Sequence, residues 1–539
     1  MRALPLLIVA QLRRDRWQLT LWVVGISLLG FAAANAIATE FASEADRRAI
    51  VAIASANPAF LFLRGTPDGT GIGALAYFQA FTFISVLAGF MNTFLVVRHS
   101  RGDESLGRAE LIGSTPAGRQ SPLIATLAVA LFANVALASL VGLAFLVAGE
   151  AIWPSFLVGI GAGSVGYFFA AVAATVAQLT PSSRMANGVS SAIVGLAYFA
   201  RGIGDALGDA NSDLTRVDSA WISLLSPIGW AQRSRPFSDA DPTLLVPVVF
   251  AALALAVFAV FVRARRDLGS SLFADRQGPA VGGNSTRSPI ALAFRLQRGT
   301  IVGWATAGAF MGIIAGALGS VVADITESNG SLRDLIAQLA GGADPDIIEV
   351  FAAAIIGITG VLAAAAGIQA VVRLREEEAA GHAELLLSTP LRRLGWFAAQ
   401  LVVAGASVFV VLAVAGIAAG VSLAVVGRGA GSIGTYVIAA LAHAPASLVF
   451  VGLAGLVFGL LPRLTTALSW GLLVIALVLG QFGELLQLPQ WLQDASPFAH
   501  SSAMPVDELN VLAVVVLVGI AFAMAALAAA LVRRRDILP

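Results

Sequence analysis

From residue 17 to residue 532 the chain is a succession of apolar runs, each about as long as a bilayer is thick. A transmembrane helix needs about 20 mostly apolar residues at a rise of about 1.5 Å each. Such runs fall near 17–38, 76–98, 120–148, 153–179, 187–206 and 243–264, and again near 303–324, 347–373, 394–427, 434–461, 466–486 and 510–532. The composition agrees: 58% of the residues are hydrophobic and 12% charged, against roughly 45–50% and about 25% in soluble domains. The expected fold is an all-α polytopic membrane protein of about twelve transmembrane helices. The run at 394–427 is too long for one straight span and should tilt or project.

Orientation follows from arginine, because positively charged loops are retained on the cytoplasmic side. With both termini inside, 24 of the 33 basic residues fall on the cytoplasmic side and 9 outside. The expected location is a plasma membrane, with both termini cytoplasmic. Arg13, Arg14 and Arg16 follow the apolar stretch Ala3–Ala10 where a signal peptide would carry small residues. Residues 3–16 therefore read as an amphipathic helix on the cytoplasmic surface, with a plain juxtamembrane segment as the alternative.

All 33 basic residues are arginine. A P-loop requires G-x-x-x-x-G-K-[ST], in which lysine reaches the β- and γ-phosphates. This chain has no such motif, and any ATP it depends on must be bound by a partner. There is no Cys, and the four His (His99, His382, His443, His500) are dispersed, so neither disulfides nor a metal cluster is expected.

The chain also repeats itself. Residues 101–119 read RGDESLGRAELIGSTPAGR, and residues 375–393 read REEEAAGHAELLLSTPLRR. They align without gaps at an offset of 274 (381 − 107), with ten of nineteen positions identical. Each segment follows the second span of its half. Trp221…Ser226-Pro227 is echoed by Trp491…Ser496-Pro497, and Arg265-Arg266-Asp267 by Arg534-Arg535-Asp536. The organisation expected is a first transmembrane half at 1–266, a Gly/Ser/Pro-rich cytoplasmic linker at 267–290, and a second half at 291–539. Six spans per half make the repeats parallel, a pseudo-dimer about an axis along the membrane normal. A substrate path would run between the halves.

Each repeated segment reads as a short helix ended by Pro116 or Pro390. The acidic start, Glu376–Glu378, suits a helix N-terminus. The apolar end is Leu111 and Ile112, or Leu385, Leu386 and Leu387. An apolar patch framed by charge suits a docking surface; a helix resting on lipid is the alternative reading. The pattern E-x-x-G-x-x-E-L-L-x-[ST]-P-x-x-R resembles the coupling-helix loop of type-2 ABC exporter permeases. The fused two-half layout is similar to actinobacterial polyketide-antibiotic (tetronasin-type) and multidrug exporter subunits. The resemblance implies that Arg101, Glu104, Gly107, Glu110 and Pro116, with Arg375, Glu378, Gly381, Glu384 and Pro390, engage a separate ABC ATPase, two copies per permease. That partner would carry ATP and Mg, with no cofactor in this chain. It also implies that the helix at 3–16 and its counterpart near 290–300 act as connecting helices. The implied function is export of hydrophobic or amphiphilic compounds such as antibiotics, without an enzymatic site and without nucleic acid.

Polar residues at membrane depth are functional candidates. Arg201 and Asp205 lie at i, i+4 and, with Glu484, are candidates for an outer gate, the outer headgroup zone being the plainer reading. His443 is a candidate proton relay or substrate contact, or a histidine hydrogen-bonded within the bundle. Asn35, Asn92, Asn134 and Gln369 suit interhelical hydrogen bonds. Phe78 and Phe81, with Phe83 and Phe90, are candidates for contact with an apolar drug or with lipid. A proton-coupled secondary multidrug transporter is the alternative function. It needs a deep carboxylate or histidine, a place that His443 alone fills.

Overall fold

The structure is a computed structural model and describes residues 3–41, 43–56, 58–267, 283, 288–328, 347–425, 432–481, 489–502 and 504–536. It divides into two compact units, Met1–Gly278 and Pro279–Pro539. Most of the expected linker, residues 268–282 and 284–287, and all of 329–346 lie outside the described residues.

The first unit contains α1 (Ala3–Glu40), α2 (Glu44–Ala56), α3 (Pro58–Arg64), α4 (Ile72–Val97), the short α5 (Arg108–Gly113), α6 (Ser121–Val147), α7 (Ile152–Leu179), α8 (Ser183–Ala206), α9 (Pro227–Gln232) and α10 (Val246–Arg265). A two-residue antiparallel hairpin, β1 (Asp209–Ala210) with β2 (Val217–Asp218), lies between α8 and α9. The second unit contains α11 (Pro289–Ser328), α12 (Ile347–Ala379), the short α13 (His382–Leu387), α14 (Arg393–Leu423), α15 (Ser432–Leu441), α16 (Ala444–Leu460), α17 (Thr465–Gln481) and α18 (Val511–Arg534).

Eleven helical segments among the described residues are long and apolar enough to cross a membrane, α15 and α16 counting as one broken span. The chain is an all-α, multi-pass membrane protein. Its helices are inverted relative to those of a soluble bundle. α18 exposes Leu512, Val515, Val516 and Phe522 and buries Leu517, Ala521, Ala528 and Val532. Such a surface fits lipid, and the small buried stripe allows close packing. At Gly159 of α7, an added Cβ would lie 2.0 Å from the Ala138 carbonyl of α6. Asn92 of α4 and Asn134 of α6 exchange reciprocal amide hydrogen bonds of 3.1 and 2.8 Å in the core of the first unit.

α8 occupies the place of the span expected near 187–206 but lacks the average apolarity of the others. It carries Arg184, Arg201 and Asp205, and its buried stripe (Ala186, Ser190, Val194, Ala197, Arg201) is small or polar. Its exposed face is apolar, with Met185, Val189, Leu196 and Phe199. An average taken over all faces hides this division.

Residues 3–16 do not form the separate surface helix expected. α1 runs unbroken for 38 residues, about 57 Å at 1.5 Å per residue, well beyond a hydrocarbon core of about 30 Å. The physical reason is a polar seam on the buried side. Gln11 donates to Thr126 of α6 at 3.1 Å, and Asp15 is buried against Arg98 at 2.9 Å. α11 likewise absorbs the counterpart near 290–300 within 40 continuous residues. There Gln297 donates to Gln400 of α14.

Candidate functional site

The two repeated segments form two elbows of the same construction. In the first, α4 passes through a π-helical turn, Arg98–Gly102, and one further turn, Asp103–Ser105. The chain then breaks at Gly107, where φ is +70°, and re-forms as α5. In the second, α12 ends at Ala379 and the break is Gly381, with φ +71°. Only glycine adopts this left-handed conformation without steric cost. The Ser-Thr-Pro that follows stops each short helix by hydrogen-bonding back to it. Ser114 and Ser388 each donate to the carbonyl three residues earlier at 2.8 Å. Thr115 and Thr389 do the same at 2.6 and 2.5 Å. Four of the ten identities, the glycine and the Ser-Thr-Pro, are therefore the residues that make this bend.

The glutamates have a different place from the one expected. Glu376–Glu378 lie at the C-terminal end of α12 rather than at a helix N-terminus, where the dipole would have favoured them. Basic side chains compensate. Glu378, 2% exposed, accepts from Arg535 just beyond α18, with Arg375 at 3.9 Å. Glu377 accepts from Arg373 at 3.1 Å and from the Trp396 indole at 2.9 Å. In the first unit Glu104 accepts from Arg101 at 2.9 Å, from Arg263 at 2.9 Å, and from Arg266 with both oxygens. Arg101 Nε and Arg266 also donate to the Ala177 carbonyl, at 2.7 and 3.2 Å, at the end of α7, where cations suit the helix dipole. Burial pulls the Arg266 guanidinium down to about 10, against the pull of Glu104.

Of the residues expected to dock a partner, Arg101, Glu104 and Glu378 thus sit inside their own unit as braces. The short helices present other groups outward. Leu111 is 72% exposed and Leu385 70%, beside exposed Glu110 and Glu384, with Pro116 and Pro390 also exposed. Ile112, Leu386 and Leu387 turn partly inward. Arg101 and Arg375 were among the sequence candidates, whereas Arg263, Arg266 and Arg535 were not. The signal for Arg266 and Arg535 was the Arg-Arg-Asp echo that closes each half.

Of the other candidates, Arg201, Asp205, Phe78 and Phe81 belong to the first unit and His443 to the second. Arg201 and Asp205 are 3.0 Å apart and both fully buried. Arg201 also donates to the Leu61 and Phe62 carbonyls of α3, at 3.2 and 2.7 Å, and lies over the Tyr198 ring. Asp205 accepts from Ser219 at 2.6 Å and from Gln232 of α9 at 3.3 Å. The pair knots together the end of the first unit remote from the elbow. Phe78 and Phe81 are buried in the core of the first unit, Phe81 stacked on Tyr77 at 4.5 Å, so neither faces lipid. His443 is buried at the break between α15 and α16, and its Nε2 has no hydrogen-bond partner among the described residues. Glu484 lies outside the described residues. Among those residues no group of three or more His, Asp or Glu could hold a metal ion.

Comparison with known proteins places this architecture. The family described as multidrug efflux system permease Rv1217c, C-terminal domain, matches residues 287–533. The multidrug efflux system permease protein Rv1217c of Mycobacterium tuberculosis is 33% identical over 534 residues, covering 98% of this chain and 94% of the relative. At that identity over essentially the whole length, the chain belongs to the Rv1217c family of multidrug efflux system permeases.

Proposed function

We propose that the chain is the membrane subunit of an ATP-driven exporter of hydrophobic or amphiphilic drug-like compounds, powered by a separate ABC ATPase. The observation that carries the proposal is the pair of elbows. Each presents an exposed leucine and glutamate on a glycine-hinged short helix, and each is fastened by a buried Arg–Glu ion pair to the last helix of its own unit. A short helix fastened in this way transmits a push to the whole bundle behind it. The absence of lysine, and with it of a P-loop, supports placing Mg-ATP on the partner. Two elbows support two ATPase copies. The arginine distribution supports a plasma-membrane subunit with the elbows and both termini in the cytoplasm. The relative's name supports a broad set of drugs as cargo.

The experiment is reconstitution of the purified chain in proteoliposomes with a candidate P-loop ATPase. The expected result is drug transport that requires ATP and persists with a protonophore. Transport that continues without ATP and stops with the protonophore overturns the reading.

A further inference from the structure

The two elbows differ in one respect that bears on how they are held. In the first unit His99 is 4% exposed and lies between two carboxylates. Its Nε2 faces Asp15 of α1. Its Nδ1 lies 3.6 Å from Asp103, four residues before the Gly107 hinge. The surrounding charges close the circuit: Arg14 of α1 meets Asp103 at 2.8 Å, Arg108 of α5 meets it at 3.2 Å, and Arg98 meets Asp15 at 2.9 Å. Beyond them lies the Glu104 cluster with Arg101, Arg263 and Arg266. A small cavity of 30 Å³ separates His99 and Asp103 from Ala109 and Ile112 of the short helix.

Among its described residues the second unit has no such arrangement. The offset of 274 places Arg373 opposite His99 and Glu377 opposite Asp103, paired at 3.1 Å. Gln297 makes to Gln400 the contact that Gln11 makes to Thr126, and Gln400 matches Thr126 at the same offset. The residue of α11 in the place of Asp15 is then Ile301 (15 + 286, as 297 = 11 + 286), buried among apolar neighbours. At this matched position the second elbow has a permanent cation, and the first a group whose charge is set near neutral pH.

We infer that Asp15, His99 and Asp103 form a proton-operated latch between α1 and the first elbow, and that the second elbow has none. An imidazolium offers one N–H to each carboxylate. A neutral ring offers one in all, leaving the other carboxylate facing a ring nitrogen lone pair in a buried site. The latch therefore holds at low pH and loosens as pH rises. Its consequence rests on the exporter reading: the coupling of the first elbow to its motor would respond to cytoplasmic pH and that of the second would not.

The chain has no cysteine, so a single Ala109→Cys reports on the first elbow and Ala383→Cys, at the same offset, on the second. The purified full chain in nanodiscs is labelled with a maleimide between about pH 5.5 and pH 8.5, a window centred near the ordinary histidine value. Rates are normalised to the exposed Ser105→Cys to remove the thiol's own titration. The Ala109→Cys rate should rise with pH, by at most about tenfold per unit for one linked proton. His99→Arg should hold it low and flat, and His99→Gln high and flat. The Ala383→Cys rate should not depend on His99. A normalised rate that is flat in the parent chain, or equally pH-dependent in all three backgrounds, overturns the latch. Labelling needs no ATPase, so a titrating elbow that activates no ATPase at any pH leaves the latch standing and removes the motor. ATPase activation with a pH-indifferent elbow removes the latch and leaves the motor.

Discussion

Arg266 holds both carboxylate oxygens of Glu104, 162 residues earlier in the chain, and Arg535 makes the corresponding contact to Glu378 across 157 residues. In each unit the last helix is thereby tied to the elbow that follows the second span. Removing one partner leaves the other buried and unpaired, which costs about 3–5 kcal/mol when no other group takes its place. Glu378→Gln should fall near the upper part of that range, because Glu378 is buried and Arg535 loses the one close carboxylate it has among the described residues. Glu104→Gln leaves three guanidinium groups converging on one amide and should be at least as damaging. Thermal unfolding in detergent measures both. The exchange Glu378→Arg with Arg535→Glu should recover part of the loss; no recovery would mean that the contact does not carry the stability.

The hinges make a smaller and more local prediction. At φ +70° and +71°, Gly107→Ala and Gly381→Ala each place a Cβ in the left-handed region, at a cost of about 1–2 kcal/mol. No neighbour stands within 4 Å of either added Cβ, so backbone strain is the whole penalty. Asparagine, which tolerates this conformation, should cost less than alanine at both positions. If alanine and asparagine behave alike, the penalty is not conformational.

Arg201→Lys should behave as a severe change although it keeps the charge. Arg201 uses two nitrogens to reach two α3 carbonyls and Asp205 together. An ammonium has no planar fork with which to do so. The expected loss is that of a broken buried pair, about 3–5 kcal/mol, and Arg201→Leu should equal or exceed it. Limited proteolysis between residues 207 and 242 would show whether that end of the unit loosens first. A change confined to transport, with the melting temperature intact, would return Arg201 to the role of a gate.

The spans were legible because bilayer thickness sets the length of an apolar run, and the elbows because a glycine hinge and a Ser-Thr-Pro stop leave fixed residues at fixed spacing. What the glutamates do was not legible. Spacing puts Glu104 and Glu378 on a helix end, but only the fold brings Arg266 and Arg535 to them. The continuity of α1 was hidden for a similar reason. Arg13, Arg14 and Arg16 read as the polar face of a surface helix, and the residues that bind this stretch to the bundle, Gln11 and Asp15, gain meaning only from Thr126, Arg98 and His99. Arg201 and Asp205 were legible as an i, i+4 pair, whereas the α3 carbonyls that complete the knot are about 140 residues away.

Leu111 and Leu385 decide whether the elbows are handles or merely rest on lipid. Each is largely exposed on a short helix, and exposed positions usually tolerate substitution within about 0.5 kcal/mol. Leu111→Asp with Leu385→Asp should therefore leave the melting temperature unchanged. If these leucines anchor a partner ATPase, replacing an apolar anchor by a charge should cost more than about 1 kcal/mol at each contact, or roughly fivefold or more in affinity for each elbow. Co-purification and ATPase activation should then fall sharply in the double variant. The single variants should rank the two elbows, which differ in sequence at Gly113 and Leu387. If the leucines instead lie in lipid, the double variant should lose stability in bilayers relative to detergent, and any ATPase that binds the parent chain should bind the variant equally well.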